Sequence, residues 1–108
     1  MGDSLFIIQT TLPSSWKEFE IGSFSQLLIE SGAACVQRKS IVSMYDWDGE
    51  IHSNSEWSLE IKVSSARLDH VLLNIEELHP DETPQLLHWE VQASQGYGRW
   101  ARTAQTSR

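Results

Sequence analysis

Cysteine, basic residues and long apolar runs are all scarce in this 108-residue sequence. Its single cysteine, Cys35, excludes an internal disulfide and a zinc site built from several cysteines. No apolar segment approaches the roughly 20 residues that a membrane-spanning helix needs. The run Leu5–Ile8, preceded by the acidic Asp3, is too short for the apolar core of a signal peptide, so we expect a cytosolic protein.

Positive charge is also limited. Eight Lys and Arg residues stand against 15 Asp and Glu residues, which gives a net charge of −7. Because phosphate groups are bound by clustered Lys and Arg, we expect neither nucleic acid nor a membrane as a partner. The acidic balance is compatible with attracting divalent cations. The length predicts one domain over residues 1–108, of which about 103–108 form a polar tail.

The most informative segment runs from Ala33 to Lys62. Its returning part, Trp57–Ser64, alternates apolar and polar residues, as a half-buried strand does. Asp48-Gly49 is a turn dipeptide that tolerates positive φ, and aromatic residues stand beside it. Aromatic side chains at a hairpin tip are poorly placed to enter their own core. They indicate a surface that contacts another molecule or another copy of the chain.

Periodicity predicts the remaining elements. A buried strand covers Leu5–Thr11. A helix follows and ends near Gly32. It begins at a capping box at Ser15 or, because Gly22 weakens the middle of so long a helix, at a second capping box at Ser23. The further predicted elements, in order, are strands 33–47 and 55–64, a helix over 68–78 ended by His79-Pro80, a strand over 86–92 and a short helix or turn over 96–101.

The order β-α-β-β-α-β is that of an α+β, ferredoxin-like sandwich with a long hairpin between its second and third strands. Right-handed crossovers place both helices on one face of the sheet. Several residues of the other face are apolar or aromatic, so a second layer must cover it. In so short a chain, we expect that layer to come from another copy of the chain.

Six short motifs follow one another along the chain: Thr10-Thr11-x-Pro13, Ala33-Ala34-Cys35-Val36, Tyr45-x-Trp47-x-Gly49, Glu56-x-x-Leu59-x-x-Lys62, His79-Pro80-x-x-x-Pro84 and Tyr97-x-x-Trp100. In this order and spacing, they resemble the motifs of the CutA family of divalent-cation tolerance proteins. The resemblance covers nearly the whole chain.

The resemblance implies a homotrimer of ferredoxin-like subunits that binds divalent metal ions, copper among them. It also implies that strands of neighbouring subunits extend each other's sheets and that the C-terminal segment packs on a neighbour. The chain departs from the family in one telling respect: members credited with copper binding carry Cys at the position of Thr10 and a second His at that of Leu78. Of that set, this sequence keeps only His79.

A metal site would therefore combine His79 with the carboxylates of Asp81 and Glu82, since imidazole and carboxylate together suit a borderline divalent ion. The competing interpretation is a helix-terminal histidine with a structural role. Cys35 and His79 are the obvious ligand pair by type, but the predicted topology puts them at opposite ends of the sheet. The alternative for Cys35 is a small buried residue with a structural role.

Aromatic residues form the second candidate site. Tyr45, Trp47, Tyr97 and Trp100 could stack a small planar ligand in a cleft between subunits, with Lys62 steering an anion, or they could simply form the trimer interface.

Catalytic motifs are absent from the sequence: it has no Ser-centred elbow, Gly-rich phosphate loop or HExxH. The loop after the first strand also lacks the Arg that acylphosphatase chemistry needs. We therefore expect no enzymatic activity and weigh three functions: trimeric metal binding and tolerance, a trimer that resembles the PII signalling proteins and binds a metabolite between subunits, and a scaffold that binds another protein through its aromatic residues.

Overall fold

The computed structural model describes residues 3–103. The elements are β1 (Asp3–Pro13), α1 (Glu18–Glu30), β2 (Cys35–Trp47), β3 (Glu50–Val63), a 3₁₀ turn (Ser65–Arg67), α2 (Leu68–Leu78), β4 (Leu86–Ala93) and α3 (Gln95–Thr103). Thr103, the first residue of the predicted polar tail, is the last residue of α3. The rest of that tail, 104–108, lies outside the described residues.

The four strands form one antiparallel sheet in the order β2-β3-β1-β4. Ile8 in the central strand β1 stands opposite Ile61 of β3 on one side and His88 of β4 on the other. With α1 and α2 packed on one face, this is the predicted ferredoxin-like α+β arrangement.

The main core lies between that face and the two helices. Alternate residues of β3 supply one layer of it: Leu59, Ile61 and Val63 are fully buried, as their alternation predicted. Trp57 is half-buried, and its indole N–H donates a hydrogen bond to the carbonyl of Trp16, 3.0 Å away. Residues from β1, α1 and α2 form the core with them: Ile8, Leu12, Ile21, Phe24, Leu28, Val71 and Ile75.

Helix α1 begins at Glu18, so neither predicted start is correct. The chain first makes a turn closed by the hydrogen bond from the Trp16 N–H to the Pro13 carbonyl, and this turn contains Ser15. Lys17 is the residue that caps the helix, and its backbone N–H donates to the Glu20 carboxylate at 2.9 Å. Helix α2 has the bounds that the sequence predicts.

The long hairpin differs from the prediction at the start of its second strand. β3 begins at Glu50 rather than at Ser55, since Asp48 and Gly49 both take positive φ (55° and 80°) and the strands pair right up to this two-residue turn. β1 pairs with β3 only as far as Glu56. Residues 42–55, here called the hairpin arm, therefore extend beyond the rest of the sheet.

Helix α3 lies on the sheet face opposite α1 and α2, against β1 and β3 of its own chain. Leu5 and Ala101 are buried there. The chain itself thus supplies part of the second layer that the sequence led us to expect from another copy, and α3 packs within its own chain rather than only on a neighbour. Among residues 3–103, no helix is long and apolar enough to cross a membrane.

Candidate functional site

His79 ends helix α2 with its side chain buried. The backbone turns to an extended conformation there because the following Pro80 disfavours the helical region. Its Nδ1 accepts a hydrogen bond from the Asp81 N–H at 3.0 Å. Its Nε2 lies 2.6 Å from the Thr11 carbonyl oxygen, which can only accept, so Nε2 carries the proton of a neutral ring. Both ring nitrogens are therefore engaged within the chain.

The predicted carboxylate partners lie near this ring to different degrees. Asp81 Oδ2 is 3.9 Å from His79 Nδ1, whereas Glu82 is an exposed residue further along the loop. Within residues 3–103, no three His, Cys, Asp or Glu side chains are grouped closely enough to hold a metal ion. The structure thus brings His79 and Asp81 together as a pair.

Beside this pair, an open cleft separates the hairpin arm from the loop after α2. Tyr45 and Trp47 line one wall, and residues 80–83 line the other. Glu56 and Asp81 contribute two carboxylates to the adjoining part of the cleft. Its walls thus combine aromatic and acidic side chains.

The position of Tyr45 is fixed by its own hairpin. Its ring stacks on that of His52 across the strand pair, with centroids 5.6 Å apart and planes 20° from parallel. Its hydroxyl accepts a hydrogen bond from the Asn54 amide. These contacts keep the Tyr45 side chain at the mouth of the cleft.

The other predicted residues form a separate polar cluster near the far end of the sheet. Cys35 stands opposite Lys62 in the hairpin register, and α3 brings Tyr97 against both. The Lys62 ammonium donates to the Glu60 carboxylate at 2.7 Å and to the Gln37 side-chain oxygen.

Burial raises the pKa of the Tyr97 phenol above its ordinary value of 10.0. The charge of ionised Cys35 and a hydrogen bond between the two side chains raise this pKa further, while the Lys62 ammonium lowers it. Trp100 is adjacent, with its ring 5.5 Å from that of Tyr97.

Tyr45 and Trp47 are thus far from Lys62, Tyr97 and Trp100 in one chain. Trp47 is twelve positions after Cys35 in the extended strand β2, so the distance between them along the strand is about 40 Å. The predicted aromatic cleft could unite them only between subunits.

The sequence correctly predicted that Cys35 and His79 lie far apart. It did not predict the neighbours of Cys35. His79 bonds to Thr11, whereas Cys35 is level with Ile7 of β1, about 13 Å away along the strand. Cys35 is half-buried beside Lys62 and Tyr97. The register of the hairpin could have revealed the pairing with Lys62, but only the packing of α3 adds Tyr97.

A projecting hairpin and a partly covered sheet on a ferredoxin-like framework define a class of small α+β domains. Within it, the chain belongs to the family described as CutA1 divalent ion tolerance protein, whose sequence model matches residues 6–104.

A relative named "Divalent-cation tolerance protein CutA" from Thermotoga maritima is 30% identical over 91% of this chain and 96% of its own length. Among solved structures, CutA from Synechococcus elongatus superposes with a TM-score of 0.85 at 26% identity, covering 96% of this chain and 93% of its own. A structure from Nostoc, titled "PII-like protein CutA", gives a TM-score of 0.80 at 30% identity, with 93% and 96% covered.

Proposed function

We propose that this protein is a cytosolic, non-enzymatic homotrimer that binds divalent metal ions, copper among them, and contributes to tolerance of them. Membership of the divalent ion tolerance family carries this proposal. The net charge of −7 agrees with a cationic ligand.

Exposed apolar residues on the arm and the open sheet face support self-association. Trp47 and Ile51 are 69% and 77% exposed at the arm, and Leu87 and Trp89 of β4 are exposed on the face opposite α1 and α2. Monomeric proteins seldom leave so many large apolar groups in water. A neighbouring copy that pairs with the arm would cover them and also give the arm's edges strand partners.

For the metal, we propose His79 and Asp81 as ligands, with Glu82 completing the set from the same loop. Nδ1 is the ring nitrogen with a lone pair, and Asp81 Oδ2 is 3.9 Å from it. A bound ion would replace the hydrogen bond from the Asp81 N–H, while Nε2 would keep its bond to Thr11. Such an arrangement fits the common pattern in which a ligating His donates its other N–H to a carbonyl.

Calorimetric titration of Cu²⁺ into chelator-treated protein tests this site. We expect binding with one ion per chain, lost in His79→Ala and strongly weakened in Asp81→Asn, and unchanged in the control His70→Ala, whose imidazole is on the exposed side of α2. The Asp81→Asn variant is needed because loss of His79 also removes structural hydrogen bonds. Absent binding, or binding that neither site variant alters, would contradict the metal site.

A second candidate is a signalling trimer that binds a small metabolite between subunits, in the manner of PII proteins. The cluster of Lys62, Glu60 and Tyr97 supports it, because it joins charged and aromatic groups on the open face of the sheet. A ligand that binds the native state raises the melting temperature. Thermal-shift screening of metals against nucleotides and organic acids separates the two candidates: a shift with a metabolite and none with any metal would favour signalling.

A third candidate is a scaffold that binds another protein through the exposed aromatic residues of the arm. A pull-down with the wild-type protein and with Trp47→Ala tests it. Recovery of the same proteins by both would contradict a role for the arm.

A further inference from the structure

We propose that the groove between α1 and α2 is a docking site for a basic amphipathic helix of another protein. The groove is on the helical side of the sheet, opposite the open face. Its walls are mostly apolar: Trp16, Phe19, Phe24, Leu27 and Leu78.

Exposure of the groove's rim is unusual for residues of this type. Phe19 is 69% exposed, although it is a large aromatic residue in the first turn of α1. Leu27, two turns further along the same helix, and Leu78, the last residue of α2, are 46% and 41% exposed. The buried residues of α2 end at Ile75, one turn before Leu78. Three large side chains thus form an apolar strip that this chain leaves in water.

The charge of the two helices indicates the chemistry of the occupant. Helices α1 and α2 together contain six carboxylates and no Lys or Arg: Glu18, Glu20, Glu30, Asp69, Glu76 and Glu77. Glu20 itself lines the groove. Leu78 also sits at the carbonyl end of α2, where the helix dipole is negative and the last turn has no base.

Three cations adjoin the two helices but are not part of them. Lys17 and Arg67 precede them in the chain, and Arg38 of β2 pairs with Glu18. An apolar strip with Glu20 in its wall, on two helices that carry six carboxylates and no Lys or Arg, matches a helix with one apolar face and Lys or Arg on the other. The same charges disfavour the anionic surface of a membrane.

Self-association would leave this groove accessible. The residues proposed above to meet other copies are on the open face of the sheet and on the arm, whereas α1 and α2 cover the opposite face. None of the proposed metal ligands His79, Asp81 and Glu82 lines the groove, so the docking proposal does not rest on the metal site.

Two synthetic helical peptides of about five turns serve as probes. Both carry a leucine face; the polar face is lysine in one and glutamate in the other, and fluorescence anisotropy of a terminal label reports binding. We expect the lysine peptide to bind, with an affinity that falls as salt is added. The glutamate peptide should not bind.

Variants of the groove locate the binding. Phe19→Ser and Leu27→Ser should each weaken binding of the lysine peptide by about tenfold or more, because each removes exposed apolar surface that the peptide would cover. Leu73→Ser is the matched control: Leu73 is 54% exposed on α2 but does not line the groove. We expect that variant to bind as the wild type does. All three positions are exposed enough for circular dichroism to remain unchanged.

Four results would overturn the proposal. The first is equal binding of the glutamate peptide, and the second is binding that Phe19→Ser leaves intact. The third is a smaller assembly of Phe19→Ser by light scattering, which would assign the groove to contacts between copies of this chain. The fourth is co-sedimentation with phosphatidylcholine vesicles that Phe19→Ser abolishes, which would assign it to a lipid surface.

Discussion

The imidazole of His79 donates a hydrogen bond from Nε2 to the carbonyl oxygen of Thr11, 2.6 Å away, and so ties the end of α2 to β1. Its second nitrogen accepts the N–H of Asp81 and orders the loop that follows. One buried ring thus positions two segments that line the candidate cleft.

Loss of this ring should destabilise the subunit. We expect His79→Ala to lower the free energy of unfolding by about 2–4 kcal/mol, because it leaves the buried Thr11 carbonyl without its donor and opens a cavity. Urea denaturation measures the change. The exposed His70→Ala should alter it by less than about 0.5 kcal/mol. Equal stability of the two variants would contradict a structural role for the His79 hydrogen bonds.

Trp47→Ala should weaken the proposed trimer and leave the subunit fold largely intact. The side chain is 69% exposed at the tip of the arm, so its removal costs little packing within one chain. Light scattering across a dilution series measures assembly, and circular dichroism measures the fold. Leu73→Ala, at an exposed position of α2, is the control. A full trimer of Trp47→Ala at low micromolar concentration would show that the arm does not hold the subunits together.

Two glycines should respond to alanine in opposite directions. Gly32 follows α1 with φ +122°, and a Cβ there would lie 3.2 Å from the Arg67 side chain, so Gly32→Ala should destabilise by at least about 1 kcal/mol. Gly22 lies within α1 with open space around it. Gly22→Ala should therefore stabilise by about 0.5–1 kcal/mol. Thermal denaturation checks both signs, and a lower melting temperature for Gly22→Ala would contradict the second.

Titration of Tyr97 should reveal its neighbours. Cys35→Ala removes a charge and a hydrogen bond that raise the Tyr97 pKa, so this pKa should fall toward 10.0, whereas Lys62→Met should raise it further. Absorbance near 295 nm measures the ionisation of tyrosine phenols. The Tyr97→Phe variant shows how much of that signal comes from Tyr97. No change in either variant would contradict the cluster.

The raised Tyr97 pKa also sets a direction for alkaline stability. The unfolded chain loses the phenolic proton more readily than the native one, so the native state is favoured less as pH rises above about 10. Tyr97→Phe should flatten that decline. Denaturation curves on either side of pH 10 test it, and parallel curves for the two proteins would contradict the linkage.

Much of the fold could be predicted because it depends on local periodicity. The alternation of β3 follows from which side chains are buried, and the end of α2 follows from the Pro80 that comes after His79. The start of α1 could not be predicted, since Ser15 and Lys17 compete as caps and a turn with Pro13 decides between them. The contact between Cys35 and Tyr97 could not be predicted either, because Tyr97 is 62 positions after Cys35 in the chain and only the packing of α3 brings them together.

By itself, the sequence determined the order of the strands and helices, the presence of a turn at Asp48-Gly49 and the ferredoxin-like topology. These features follow from residue spacing, from side chains that must be buried and from backbone angles that few residues tolerate. The tertiary structure alone decided that both nitrogens of His79 are hydrogen-bonded, that Lys62 and Trp47 stand far apart, and that Phe19 and Leu78 remain exposed. Such properties depend on which distant segments pack together, and no local pattern in the chain specifies that packing.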